Sequence, residues 1–186
     1  MLSYASLENT LDEFAAKISL LIAELGLQSL TQCDHVALRV NTTAAADALR
    51  DAFSARGSVI SDNIINGRPI LIIKLHTPLQ LGEYSVACVE LPYPKTEYPQ
   101  QGWEHIELVL ASNATDCEQL QQQLISLSPK LAAVFAGDSE IKVKASSPAG
   151  EAERLPNPTI AFTKAGVCVK VHPHTIEAII ASEQAS

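Results

Sequence analysis

Two short segments of this chain read as copies of each other, and each opens on a histidine preceded by an acid. Asp34-His35-Val36-Ala37-Leu38-Arg39-Val40 is matched by Glu104-His105-Ile106-Glu107-Leu108-Val109-Leu110, at an offset of 70 residues (105 minus 35). An alternating apolar strand follows each histidine. A helical pattern follows each strand, at 43–56 and 114–127. A β-α unit repeated within 186 residues implies one domain made of two related modules. Histidines at equivalent places in two modules can converge on one site, which is the first reason to expect a metal.

Composition narrows the partners. Hydrophobic residues make up 47% and charged residues 18%, which fits a globular chain with a sizeable core. The net charge is −8 and no cluster of Lys or Arg occurs, so nucleic acid is not the expected partner. The four cysteines, Cys33, Cys88, Cys117 and Cys168, form no CxxC pair, which removes zinc-finger and thioredoxin readings. The N-terminal segment has no basic region before an apolar run, and no stretch approaches the roughly 18 apolar residues of a membrane span. The expectation is a cytoplasmic protein with reduced thiols and no membrane or nucleic-acid partner, as a monomer or homodimer.

The pattern divides the chain into an N-terminal helical extension (1–30), module one (31–92), a Pro-rich linker (93–103) and module two (104–186). Residues 10–25 form the predicted first helix, with Thr10 as N-cap, Glu13 completing a capping box, and Gly26 as the stop. That helix is expected to act as a cap or a dimer contact. Module one reads as strand 35–40, helix 43–56, then strands 58–64, 69–76 and 83–91, with a type I′ hairpin at Asn66-Gly67. Module two reads as strand 105–110, helix 114–127, then strands 140–145, 159–162 and 167–172. Its polar loop, 146–158, is longer than its counterpart and could lie over a site.

Strand parity separates two faces. Val36, Leu38 and Val40 oppose His35, Ala37 and Arg39; Ile106, Leu108 and Leu110 oppose His105, Glu107 and Val109. Val89 and Leu91 oppose Cys88 and Glu90, while Val169 and Val171 oppose Cys168, Lys170 and His172. Leu71, Ile73 and Leu75 oppose Lys74 and His76. The apolar face suits packing against helices. The other face is rich in imidazole and isolated acids, which suits a cavity better than open solvent.

Two β-α-β-β-β modules, with a His opening the first strand and an acid in the last, resemble the vicinal oxygen chelate superfamily, which includes glyoxalase and extradiol dioxygenases. More narrowly, NGRPI, VELPYP, GWEHIELVL, ERLPNPT and VKVHP are similar to the YecM family of small bacterial proteins, over nearly the whole chain. The resemblance implies an α+β fold whose curled mixed sheets form a central cup. It implies metal ligands on the first and fourth strands of each module: His35 and Glu90 from module one, His105 from module two. At the fourth position an offset of 82 selects His172 and an offset of 80 selects Lys170. His172 is preferred, because a protonated Lys is not a ligand.

Imidazoles with a carboxylate suit a divalent ion such as Fe, Mn, Zn or Ni. Glu107, on the face of His105, is a candidate general base, or alternatively a partner for Arg39. Arg39, Lys74 and Lys170 share the polar face and would contact a small, carboxylate-bearing substrate unless they are paired internally. Asp34 and Glu104 could orient the rings beside them, but neighbours along a strand point oppositely, so surface acids are expected. Trp103 is expected to be a packing anchor, and Cys88 and Cys168 to fill space. The functions implied are a metal-dependent isomerase, lyase or dioxygenase, or a non-catalytic binding module on the same fold.

Overall fold

Alternation in the two copied segments produces the strands from which the rest of the sheet extends. In the computed structural model, residues 2–65, 67–147 and 155–184 are described. The elements are α1 (Tyr4–Leu25), β1 (Cys33–Arg39), α2 (Thr43–Ser54), β2 (Gly57–Ile65), β3 (Arg68–Leu81), β4 (Tyr84–Pro92) and β5 (Gly102–Val109). They continue with α3 (Cys117–Leu127), α4 (Leu131–Ala136), β6 (Lys142–Ser146), β7 (Thr159–Lys164), β8 (Val167–His172) and α5 (Ile176–Gln184). The eight strands form one mixed sheet in the order β2-β3-β4-β1-β5-β8-β7-β6.

β1 and β5 run antiparallel at its centre, and their register is symmetric. Val36 faces Ile106, His35 faces Glu107, and Ala37 faces His105. The members of the central pair differ by 70 (106 minus 36), the offset of the repeat, so a local two-fold axis passes between Val36 and Ile106. Each central strand then pairs in parallel with the last strand of its own half, β1 with β4 and β5 with β8. The result is two βαβββ halves joined edge to edge into a cup, as expected from the sequence.

The apolar face of the strands is closed by helices. Val36, Leu38, Val89, Ile106, Leu108, Val169 and Val171 share one core with Leu7, Phe14, Ile18, Leu49, Phe53, Leu120 and Leu124. Trp103 anchors α1 as expected: its indole N–H donates to the Leu7 carbonyl at 2.8 Å, and its ring stacks on Phe14. α1 is therefore an intramolecular cap. It begins earlier than Thr10. Ser3 is the N-cap and Ser6 completes the box, whereas the Thr10 hydroxyl turns back to the Ser6 carbonyl. Leu127, expected on the buried side of its helix, is exposed.

Gly57 opens β2 because nothing larger fits. A Cβ there would lie 2.3 Å from the Lys74 carbonyl oxygen and 2.9 Å from Leu75 Cα. Gly67 has φ +75, which only glycine adopts at little cost, as the hairpin reading requires; its partner Asn66 lies outside the described residues, as do residues 148–154 of the long polar loop. β3 runs on to Leu81, five residues past its expected end.

Two helices have no counterpart in the sequence reading. α4 is a single short turn-and-a-half after α3. α5 docks on the concave face of the first half, where Ile180 packs with Ile72 and Cys88. No helix among the described residues is long and apolar enough to cross a membrane.

Candidate functional site

The acids that precede the two histidines are not surface groups. Cys33 pairs with Leu108 and His35 with Glu107, so Asp34 is an extra residue on β1. Leu38 pairs with Trp103 and Ala37 with His105, so Glu104 is an extra residue on β5. A bulge breaks the strict alternation of a strand and re-aims the side chains around it. The two bulges occupy equivalent places in the two copies. Each lets an acid reach the ring of the histidine beside it.

Nδ1 of His35 lies 3.0 Å from Asp34 Oδ2, and Nδ1 of His105 lies 2.5 Å from Glu104 Oε2. With a carboxylate at that distance, Nδ1 donates to the acid and Nε2 is the nitrogen left to face the cup. Both Nε2 atoms point into the cup, buried and without a hydrogen-bond partner. Glu107 Oε1 lies 3.3 Å from His105 Nε2 and 3.6 Å from His35 Nε2. Glu90 Oε2 lies 3.6 Å from His35 Nε2 on the other side. Ligand atoms of His35, His105 and Glu107 all fall within 4.8 Å of one another, so this buried group could hold a metal ion. Two imidazole nitrogens and a carboxylate oxygen, each ring backed by an acid, are a donor set that suits a divalent first-row metal.

The electrostatics are those of a compensated buried cluster. Burial alone would raise Glu107, but the Lys170 ammonium and the two imidazoles hold it well below the usual carboxylate range. Burial alone would lower His35, yet Glu107, Asp34 and Glu90 hold it well above the ordinary imidazole range. The His172 ring is fully buried, and desolvation lowers it despite Glu107 and Asp34. Both its nitrogens lack a hydrogen bond; Nδ1 lies 3.6 Å from Glu107 Oε2 and Nε2 lies 3.5 Å from Asp34 Oδ2.

These groups line a cavity of about 590 Å³. It brings together His35, Glu90, His105, Glu107, Arg39, Lys170 and His172, all singled out from the sequence. Lys74 is not among the lining residues. It pairs with Glu177 of α5. Arg39 pairs with Glu104 rather than Glu107, and Lys170 donates to Glu107 Oε1 at 3.0 Å. The strand register also decides between the two offsets. Ala37 faces Glu90 and Glu107 faces Lys170, so Lys170, at offset 80, is the counterpart of Glu90. His172 lies one inward-facing step further along β8. Asp34 and Glu104 orient the rings, the alternative to the surface placement expected for them, and Arg68 and Lys144 join the wall without a sequence signal. For the two acids the signal was present, since an acid precedes the His in both copies.

Residues 3–183 match the family described as YecM protein. Protein YecM of Escherichia coli is 42% identical over 179 residues, covering 96% of this chain and 89% of that protein. The chain belongs to the YecM family. A Haemophilus influenzae protein described as uncharacterized is 36% identical over 171 residues, covering 88% of this chain and 86% of its own length. A solved structure described as Structural Genomics, Protein EC4020, superposes with a TM-score of 0.81 at 36% identity, covering 99% of each chain. The five YecM-like segments noted in the sequence converge on the cavity. They contribute Arg68 and Ile70, Glu90 and Pro92, Glu104, His105 and Glu107, Asn157 and Thr159, and Lys170 and His172 to its wall.

Proposed function

We propose that this YecM-family chain binds one divalent metal ion through His35, His105 and Glu107 and acts on a small oxygen-rich molecule, in the manner of the vicinal oxygen chelate superfamily. The observation that carries this reading is the pair of buried Nε2 atoms without hydrogen bonds. Each belongs to a ring whose other nitrogen is held by a carboxylate, and both face one carboxylate oxygen. Burying unpartnered imidazole nitrogens is costly unless something binds them.

An ion held there would act as a Lewis acid toward two neighbouring oxygens of a substrate. The remaining work falls to the chain. Asp34 and Glu104 hold each ring by Nδ1, so that Nε2 faces the cup. Glu90 is held below the usual carboxylate range despite its burial, chiefly by His35, and it is the group placed to accept a proton from a bound molecule. The roles expected for Glu90 and Glu107 therefore exchange: Glu107 reaches both imidazoles and Glu90 reaches only His35. His172 lines the wall with a neutral ring and is a contact for substrate rather than a ligand in this reading.

A second reading, a non-catalytic binding module on the same fold, is favoured by one contact. The Lys170 ammonium already occupies the Glu107 oxygen that faces both imidazoles. Cobalt(II) titration separates the readings from a metal-free scaffold. Saturable visible absorption at one equivalent, lost in His105→Ala, supports the ion site. Absence of any saturable signal in the wild type rejects it.

A further inference from the structure

We infer that the mouth of this cavity is an anion-binding subsite formed by Arg68 and Lys144, and that the molecule taken up carries a carboxylate there. The inference rests on reading the cavity as a small-molecule site, though not on the ion at its floor.

Four cationic side chains line the cavity, Arg39, Arg68, Lys144 and Lys170, against three carboxylates, Glu90, Glu104 and Glu107. Two of the cations are committed. Arg39 is held by Glu104 and lies over the Tyr98 ring, 4.3 Å from its centroid. Lys170 is held by Glu107, and Glu90 faces His35. Arg68 and Lys144 remain. Among the described residues neither has an acidic partner, and Arg68 donates only to the Tyr98 hydroxyl, at 3.4 Å.

Arg68 and Lys144 approach the cavity from separate parts of the sheet. Arg68 starts β3, in the first half, and Lys144 lies in β6, the edge strand of the second half. Each is remote in the sheet order from the other, yet both reach one cavity. The chain as a whole carries −8, so unpaired positive charge gathered from opposite ends of the sheet runs against the overall field. Such a local inversion draws in anions and selects against neutral molecules of the same shape. The planar guanidinium fork matches a carboxylate in two parallel hydrogen bonds, while the Lys144 ammonium adds a point charge. Ser146, Ser147 and Thr159 line the wall on the Lys144 side.

Isothermal titration with malonate, and with its neutral analogue malonamide, tests the inference on wild type, Arg68→Gln and Lys144→Gln. Each is measured as purified and after treatment with EDTA. Lys144 is exposed, so its replacement leaves folding intact even if Arg68→Gln does not. Malonate should bind wild type and lose about tenfold or more in affinity in each variant, with malonamide binding far more weakly. Persistence of that pattern in EDTA-treated protein supports the subsite even if the chain holds no metal. Equal binding of malonate and malonamide overturns it. So does malonate binding that vanishes with EDTA and is unchanged in both variants, because the anion then sits on the ion alone.

Discussion

The Asp34 carboxylate sits 3.0 Å from Nδ1 of His35, its own neighbour in the strand. The same oxygen accepts the Ile176 N–H at the start of α5, at 2.9 Å. One buried acid thus fixes the ring that faces the cup and the helix that covers part of it. Glu104 does the first of these jobs for His105, and its other oxygen takes Arg39.

Asp34→Asn should therefore lower divalent-metal affinity by about 10–100-fold while leaving the fold in place, the usual effect of losing the acid behind a ligating histidine. Competition against a chromophoric chelator measures this. Unchanged affinity would show that Asp34 serves α5 alone.

Glu107 is the sole acid in direct contact with Lys170 among the described residues. Removing it leaves a half-buried ammonium without its acid and takes one of the carboxylates from the two imidazoles. Glu107→Gln should cost about 1–3 kcal/mol in urea unfolding of metal-free protein, and Glu107→Gln with Lys170→Met should recover most of that loss. Additive losses in the double variant would contradict a direct coupling.

The acid limb of stability carries the mark of Glu104. Burial would raise this carboxyl, but His105 and Arg39 outweigh burial and hold it at about 2. Its folded value lies below its unfolded value, so the stability it contributes is complete above about pH 4.5 and disappears as pH falls through about 2. The contribution is at most about 3 kcal/mol. Glu104→Gln should lie below wild type at neutral pH and converge with it between about pH 4.5 and 2. A constant gap across that range would mean that Glu104 does not titrate in this way.

Gly57→Ala tests the close approach of β2 to β3. The added methyl meets the Lys74 carbonyl, and the strain should cost about 1–3 kcal/mol in chemical denaturation. Neutral behaviour would show that the strands can separate there at no cost.

Much of this was legible in the sequence, and the reasons differ by residue. The repeat around His35 and His105 displayed the two-fold relation directly, because equivalent strands need the same alternation. Parity placed Glu90, Glu107 and Lys170 on the cup face for the same reason. Parity also misled where β1 and β5 depart from it. Asp34 and Glu104 sit in bulges, and a bulge is set by the pairing of two strands rather than by either strand alone. The choice between Lys170 and His172 depended on register, which again belongs to the pair β5–β8. α5 escaped notice because it is short and lies after the last strand, although Thr175 caps it locally; its tie to Asp34, 142 residues away, has no local signal. Arg68 and Lys144 fell outside any local pattern, being joined only by the curl of the sheet.

Metal content tests the central claim most directly. The wild-type chain, loaded with a divalent ion and freed of excess by gel filtration, should retain about one ion per chain by elemental analysis, the stoichiometry of a single three-ligand site. His35→Ala and His105→Ala, each shown to be folded by circular dichroism, should retain almost none. Stoichiometric metal in either folded variant, or none in the wild type after loading, would contradict the account.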